Sequence, residues 1–228
     1  YGLYWGVNMF PLALLNPSAP AVDPASLTLA LLHFDSDFSD SSPFSNSTTI
    51  IGTPTIDTIV TKFGGGSASF IAAGSISDPR VLIPATANLK VGNLQPFTVE
   101  FWFYGNPTEP YGSGMVTMRD DSVYCPFVIR PQSVYIGNST LTAWTFSPAF
   151  NGTVAAWNHF ALVADGTNIK LYLNGTSFFT TTHPNWADDN QKLSIGADLY
   201  GFTGRIEELR FKKEAVYTAN FTPPTSPF

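Results

Sequence analysis

Two tight-turn dipeptides set nine residues apart constrain this chain more than any other feature. In WNHFALVADGTNIKLYLNGT (157–176), Asp165-Gly166 and Asn174-Gly175 each follow a run of aliphatic, aromatic and alternating residues. Both central residues of a type I′ turn need positive φ, which Asn, Asp and Gly tolerate best, so the segment predicts a β-meander. Further strand-like runs recur at LTLALLHF (27–34), TIDTIVTKF (55–63), SASFI (67–71), FTVEFWFY (97–104), SGMVTM (113–118), KLSIGA (192–197) and GFTGRIEELRFK (201–212). No segment of helical period competes with them, and the chain is expected to be all-β.

Length and charge narrow the partners. The 228 residues carry 11 Lys plus Arg against 17 Asp plus Glu, a net charge of −6, and Lys212-Lys213 is the only basic doublet. Nucleic acid is thereby excluded as a default partner, because a phosphate backbone is gripped by clustered cations. Charged residues make up 12% of the chain, about half the usual share, so Ser, Thr, Asn and Gly must supply the polar surface. Such a surface suits an extracellular or virion protein. Cys125 is the lone cysteine, which precludes an intrachain disulfide and reads as a small buried apolar group. The opening Tyr1 is the terminus expected of a processed or trimmed chain.

HFDSDFSDSSP, KFGGGSASF, FTVEFWFY, the meander and GFTGRIEELRF, closing on YTANFTPP, together resemble the laminin-G-like branch of the concanavalin A-like lectin-glucanase jelly rolls over residues 27–228. The resemblance implies two antiparallel sheets packed face to face, with the last strands returning beside the first. It does not imply one activity, since that fold hosts lectins, glycanases, adhesion modules and viral fibre or decoration proteins.

Residues 1–15, YGLYWGVNMFPLALL, read as an extended arm, and 16–26, with Pro17, Pro20 and Pro24, as a linker to the 27–228 domain. The arm is too short and too interrupted for a membrane helix, and no transmembrane segment is expected. Its odd positions, Leu3, Trp5, Val7 and Met9 among them, are large and apolar, a period of two that suits a strand. Burying them yields on the order of 10 kcal/mol before ordering entropy, and the proline-stiffened linker reaches roughly 30 Å. Two dockings stay open: an edge strand on its own sandwich, or donation to a neighbouring copy. The spacer favours the neighbour, and head-to-tail donation predicts a filament.

Catalysis finds little support. Glu207-Glu208 are adjacent in a strand and should face opposite ways, Glu100 stands alone among aromatics as a solvent-facing or paired residue, and the Glu-x-Asp-x-x-Glu pattern of glycanases resembling this fold does not occur. His159 reads as structural; His33 and His183 have no nucleophile motif beside them, and GGGS (64–67) reads as a turn. No cofactor is expected; Asp35, Asp37 and Asp40 are candidates for Ca²⁺, with turn capping in a solvated loop the favoured reading, and Asp120-Asp121 and Asp188-Asp189-Asn190 are weaker candidates. Trp144, Trp186, Tyr111 and Tyr200 fall in turn-rich stretches and are candidate sugar platforms, whereas Trp102 and Trp157 fit core strands. Five sequons, at Asn46, Asn138, Asn151, Asn174 and Asn220, are glycosylation acceptors if the host modifies secreted chains.

The leading expectation is a non-enzymatic extracellular subunit that self-assembles into a filament by lending its N-terminal strand to the next copy. The alternative is a glycan-binding module of a phage fibre, capsid decoration protein or adhesin.

Overall fold

A computed structural model describes residues 1, 27–75, 77–105, 113–119, 124–187 and 191–228. The arm residues Leu3, Trp5, Val7 and Met9, the linker, Tyr111, Asp120-Asp121 and Asp188-Asp189-Asn190 lie outside them. Among the described residues no helix is long and apolar enough to cross a membrane.

The strands are β1 (Thr28–Leu32), β2 (Thr49–Ile51), β3 (Thr55–Asp57), β4 (Ser67–Phe70), β5 (Arg80–Ile83), β6 (Phe97–Gly105), β7 (Ser113–Gly114), β8 (Val116–Met118), β9 (Phe127–Ile129), β10 (Val134–Gly137), β11 (Trp144–Phe146), β12 (Trp157–Ala164), β13 (Asn168–Leu173), β14 (Thr176–Thr182), β15 (Leu193–Ile195), β16 (Tyr200–Gly201) and β17 (Gly204–Lys212). They form an eight-stranded sheet in the order β14-β13-β12-β6-β17-β4-β3, with β1 also paired to β17, and a seven-stranded sheet in the order β11-β10-β9-β8-β15-β5-β2. Pairing within both is antiparallel, and β7 with β16 makes a short parallel pair. This is the jelly-roll sandwich expected from the sequence, with the last strand returning to the first.

The meander forms, but the paired positive φ expected of a type I′ turn occurs only at Asn174-Gly175; at the first turn Gly166 alone has positive φ. Asp165 Oδ1 accepts the amides of Thr167 and Asn168, while Asn174 and Gly175 take φ of 49° and 78°. Gly175 is needed twice over, because a Cβ there would collide with the Phe221 carbonyl. The expected run 55–63 is cut to three residues: the Asp57 carboxylate accepts the amides of Ile59 and Val60 and turns the chain out of the sheet. The inward faces of both sheets meet in one core, filled largely by phenylalanines such as Phe97, Phe101, Phe103, Phe127, Phe160 and Phe211.

Candidate functional site

The outward faces of the two sheets have different fates. Behind the eight-stranded sheet, residues 214–228 fold back over β6, β12, β13 and β17. Tyr217 and Phe221 stack with centroids 3.5 Å apart and pack on Ala161, Val163 and Tyr172. Glu100 ties this tail down: Arg210 donates Nε and Nη2 to Oε1 at 3.0 and 2.6 Å, the Tyr217 hydroxyl donates to Oε2 at 2.6 Å, and His159 Nε2 stands 3.3 Å from Oε2. Burial pushes the Glu100 carboxyl up, but His159, Arg210 and Tyr217 outweigh it and hold it below the usual range. Glu100 is therefore paired, as one reading of the sequence held, and fully buried, contrary to the solvent-facing one. His159 is structural, enclosed by Trp102, Tyr217 and Phe221.

Glu207 and Glu208 correct the premise of alternation. A bulge interrupts the β17–β6 register between Glu207 and Arg210, with Glu208 at φ 53°, so Ile206 and Leu209 both enter the core while the two glutamates between them stay outside it. Neither is available to a substrate. Glu207 accepts the amides of Lys62 and Phe63, and Glu208 accepts from His33 Nδ1 and the Phe228 amide, at 2.5 to 2.8 Å. Burial raises the Glu207 carboxyl, the two amides pull it back, and the charges of Glu208 and Asp35 raise it further.

On the outward side of the seven-stranded sheet the centre is buried, at Val128, Thr117 and Ser194, while Thr49, Leu82 and Tyr135 toward its margins reach solvent. The sheet's cross-strand register sets Thr49, Leu82, Ser194, Thr117, Val128 and Tyr135 in one outward row, between inward rows that supply the core. Arg80, Arg119, Arg130 and Lys192 each adjoin an inward strand residue and so fall on the same outward face, gathering four of the chain's 11 basic residues. Ser194, Thr117, Arg80, Arg119, Lys192 and Asp198 line a depression of about 140 Å³. Asp198 organises it: Oδ1 accepts from Arg119 at 2.6 Å, Oδ2 from Arg130 at 3.0 Å, and its carbonyl from Arg80 at 3.2 Å. Gly114 lets Asp198 lie this close, since a Cβ there would strike its backbone. Cys125, buried on this outward side, sits 3.7 Å from the Thr117 hydroxyl, and burial drives its thiol up to about 12, leaving it inert as expected.

An aromatic cluster extends the face. The Arg130 guanidinium lies 4.4 Å from the Tyr135 ring centroid, and half-buried Trp144 meets Tyr135 at 5.5 Å and Tyr124 at 5.4 Å. Tyr200, 45% exposed, is two residues beyond Asp198 and accepts the Asp198 amide on its carbonyl. Of the four expected platforms, Trp144 and Tyr200 thus flank one polar centre. Trp186 is a correction: it is wholly buried between Phe97 and His183 and donates Nε1–H to the Gly137 carbonyl, so it offers no face to a sugar. Arg119, Arg130, Asp198 and Tyr135 were missed by sequence reading; the run 113–118, continued by one residue, points Arg119 outward, but no comparable signal marks the other three.

The expected Ca²⁺ carboxylates do not converge. Asp40 is spent as a turn hub, accepting from Leu31, Ser42 and Asn46, and Asp37 accepts from Ser39. No cluster of three metal-ligating side chains occurs among the described residues. The sequons also separate. The carboxamides of Asn46, Asn138 and Asn174 are tied on both atoms or on the nitrogen, whereas Asn151 is exposed and Asn220 uses only its oxygen, toward the Ser177 amide.

Comparison with known proteins agrees with this architecture. A laminin-G family model described as the concanavalin A-like lectin/glucanases superfamily matches residues 76–219. No curated protein matched by sequence. Among solved structures, the binding domain of Paraclostridial Mosquitocidal Protein 1 matches with TM-score 0.64 and 12% identity over 86% of this chain and 51% of that one. The binding domain of Botulinum neurotoxin DC in complex with rat synaptotagmin II gives 0.65 and 10% over 86% and 50%. The present chain thus spans about half the length of these neighbours. Domain 4 of AbnA, a GH43 extracellular arabinanase from Geobacillus stearothermophilus, in complex with arabinotriose, gives 0.59 and 19% over 83% of this chain and 94% of that domain.

Proposed function

Because the chain belongs to the concanavalin A-like lectin/glucanases superfamily, and one of its two sheet faces carries a polar centre flanked by aromatic rings, we propose that it is a non-catalytic carbohydrate-binding module acting outside the cell. The observation that carries this reading is the outward face of the seven-stranded sheet. There the enclosed Asp198 carboxylate fixes the Arg119 and Arg130 guanidiniums beside the depression, and Trp144, Tyr135 and Tyr200 supply ring surface. Sugars are recognised by this combination: aromatic faces take the apolar side of the ring, and fixed donors and acceptors take its hydroxyls.

The whole-domain match to an arabinanase domain solved with arabinotriose supports the reading. So does the consumption of both carboxylates of the Glu207-Glu208 pair by backbone amides and His33, which leaves that pair no free oxygen for general acid work.

The test is capture of the full chain on an oligosaccharide array, followed by calorimetry with the sugar retained. Trp144→Ala and Tyr135→Ala should each weaken binding at least ten-fold with circular dichroism unchanged. An array that retains nothing, or binding indifferent to both substitutions, overturns the proposal.

A further inference from the structure

The four sheet edges are unequal. Strands β2, β3 and β11, which end three of them, have three residues each, while β14, ending the eight-stranded sheet beside the β11 edge, has seven. Short edges are one natural protection against pairing with another chain; charge and proline are others. β14, Thr-Ser-Phe-Phe-Thr-Thr-Thr, has neither a charged residue nor a proline. Among the described residues its outer edge is met only at Ser177, whose amide donates to Asn220 Oδ1.

A second observation falls at the same seam. Phe146 of β11 and Phe178 and Phe179 of β14 are only partly buried against the core, with Phe146 and Phe179 5.8 Å apart across the gap between the sheets. An open edge above unfinished aromatic packing is the acceptor that a β-strand with one apolar face completes. The chain contains one such segment outside the described residues: Leu3, Trp5, Val7 and Met9 alternate with Gly2, Tyr4, Gly6 and Asn8.

We infer that the edge of β14 accepts the N-terminal arm of a second copy as an added antiparallel or parallel strand, its alternate apolar side chains covering Phe146, Phe178 and Phe179. The donor is another molecule because of where the arm begins. Leu27 is held at the far side of the sheet, its carbonyl accepting the Lys213 amide, and five inter-strand spacings, roughly 24 Å, separate β1 from β14. The direct path across the outer face is occupied by Tyr217 and Phe221, so an arm of the same molecule would have to rise over them with little of the roughly 30 Å reach of residues 16–26 to spare. Each copy then offers one arm and one edge, a heterologous contact that propagates unless a rotation closes it. This surface is distinct from the carbohydrate face, and the two proposals stand or fall separately.

The experiment is sedimentation velocity of the full chain over a concentration series, with two variants. Thr180→Lys with Thr182→Lys places charge on exposed positions of the acceptor edge, and Trp5→Asp alters the donor outside the described fold. The wild type should associate with concentration, each variant should weaken association at least ten-fold at unchanged Tm, and the two combined should add little, since they break one contact. A full chain that stays monomeric at every concentration overturns the inference, as does association that persists in either variant. Monomers in which Trp5 fluorescence is shielded from quencher assign the arm to its own domain and overturn it too.

Discussion

Replacing Glu100 with Ala should release the C-terminal tail and cost about 3 to 5 kcal/mol. The side chain is fully buried, and its two oxygens take two bonds from Arg210 and one from Tyr217. Removing one member of a buried ion pair costs about 3 to 5 kcal/mol, because the partner is left charged without compensation. Arg210 is 20% exposed and relieves part of that by reaching water, which argues for the lower end; the abandoned Tyr217 hydroxyl adds roughly 1 kcal/mol or more. For a chain of this size the total corresponds to a Tm about 10 °C lower. Urea titration followed by tyrosine fluorescence and far-UV dichroism reads both quantities. The pH dependence supplies an independent check. The Glu100 carboxyl lies below its unfolded value, so its contribution is present above the ordinary glutamate range and disappears as pH falls through the lowered value. The wild type should therefore lose stability in acid more steeply than Glu100→Ala. A loss under 1 kcal/mol, or parallel acid titrations for the two proteins, would refute the view that this carboxylate anchors the tail.

Two further substitutions probe the loops around the candidate site. Asp78 accepts the amides of Ala73, Gly74, Ser75 and Gly201, and although burial opposes it these bonds hold its carboxyl low. Asp78→Asn should cost about 2 kcal/mol at pH 7, a penalty that shrinks as pH drops through the lowered value, measurable by thermal melts at pH 7 and 3. Trp186→Ala should cost about 3 to 5 kcal/mol by cavity formation yet leave sugar affinity within two-fold on the same array. A ten-fold loss there would restore Trp186 as a ligand platform.

How much of this was legible depends on range. The meander was readable because tight-turn geometry is local: Asn174-Gly175 both take positive φ, and Asp165-Gly166 turns the chain with a positive φ at Gly166 and the Asp165 carboxylate accepting the two following amides. The pairing of β17 with β1 spans most of the chain, and no local signal encodes it; only the resemblance carried it. Strands β2, β9 and β11 are three residues long, too short to express a period, and went unread. Periodicity also misled where a bulge broke it, at Glu207-Glu208, and where a turn-rich loop proved to be buried, at Trp186. The site residues Arg119 and Arg130 stand at strand ends, where their alternation points outward but where a lone arginine in a sequence looks like any solvated charge.

Charge scarcity joins these features. With 28 ionisable Asp, Glu, Lys and Arg residues in 228, from 11 and 17, few can be spent on casual surface pairs, which contribute little in any case. The arginines are instead placed where geometry counts. Arg210 is spent fixing the tail that closes the eight-stranded sheet, and Arg205 donates to Asp57 at 2.6 Å to hold the turn that ends β3. Arg80, Arg119 and Arg130 converge on the enclosed Asp198 at the outward side of the other sheet. The first two placements lock backbone that the fold needs. The third locks no strand pairing, since β8, β9 and β15 are already joined by their ladders and packed from within. Three guanidiniums around one enclosed aspartate instead hold the 197–201 loop against the ends of β8 and β9 and set the rim of the depression to which we assign the proposed recognition.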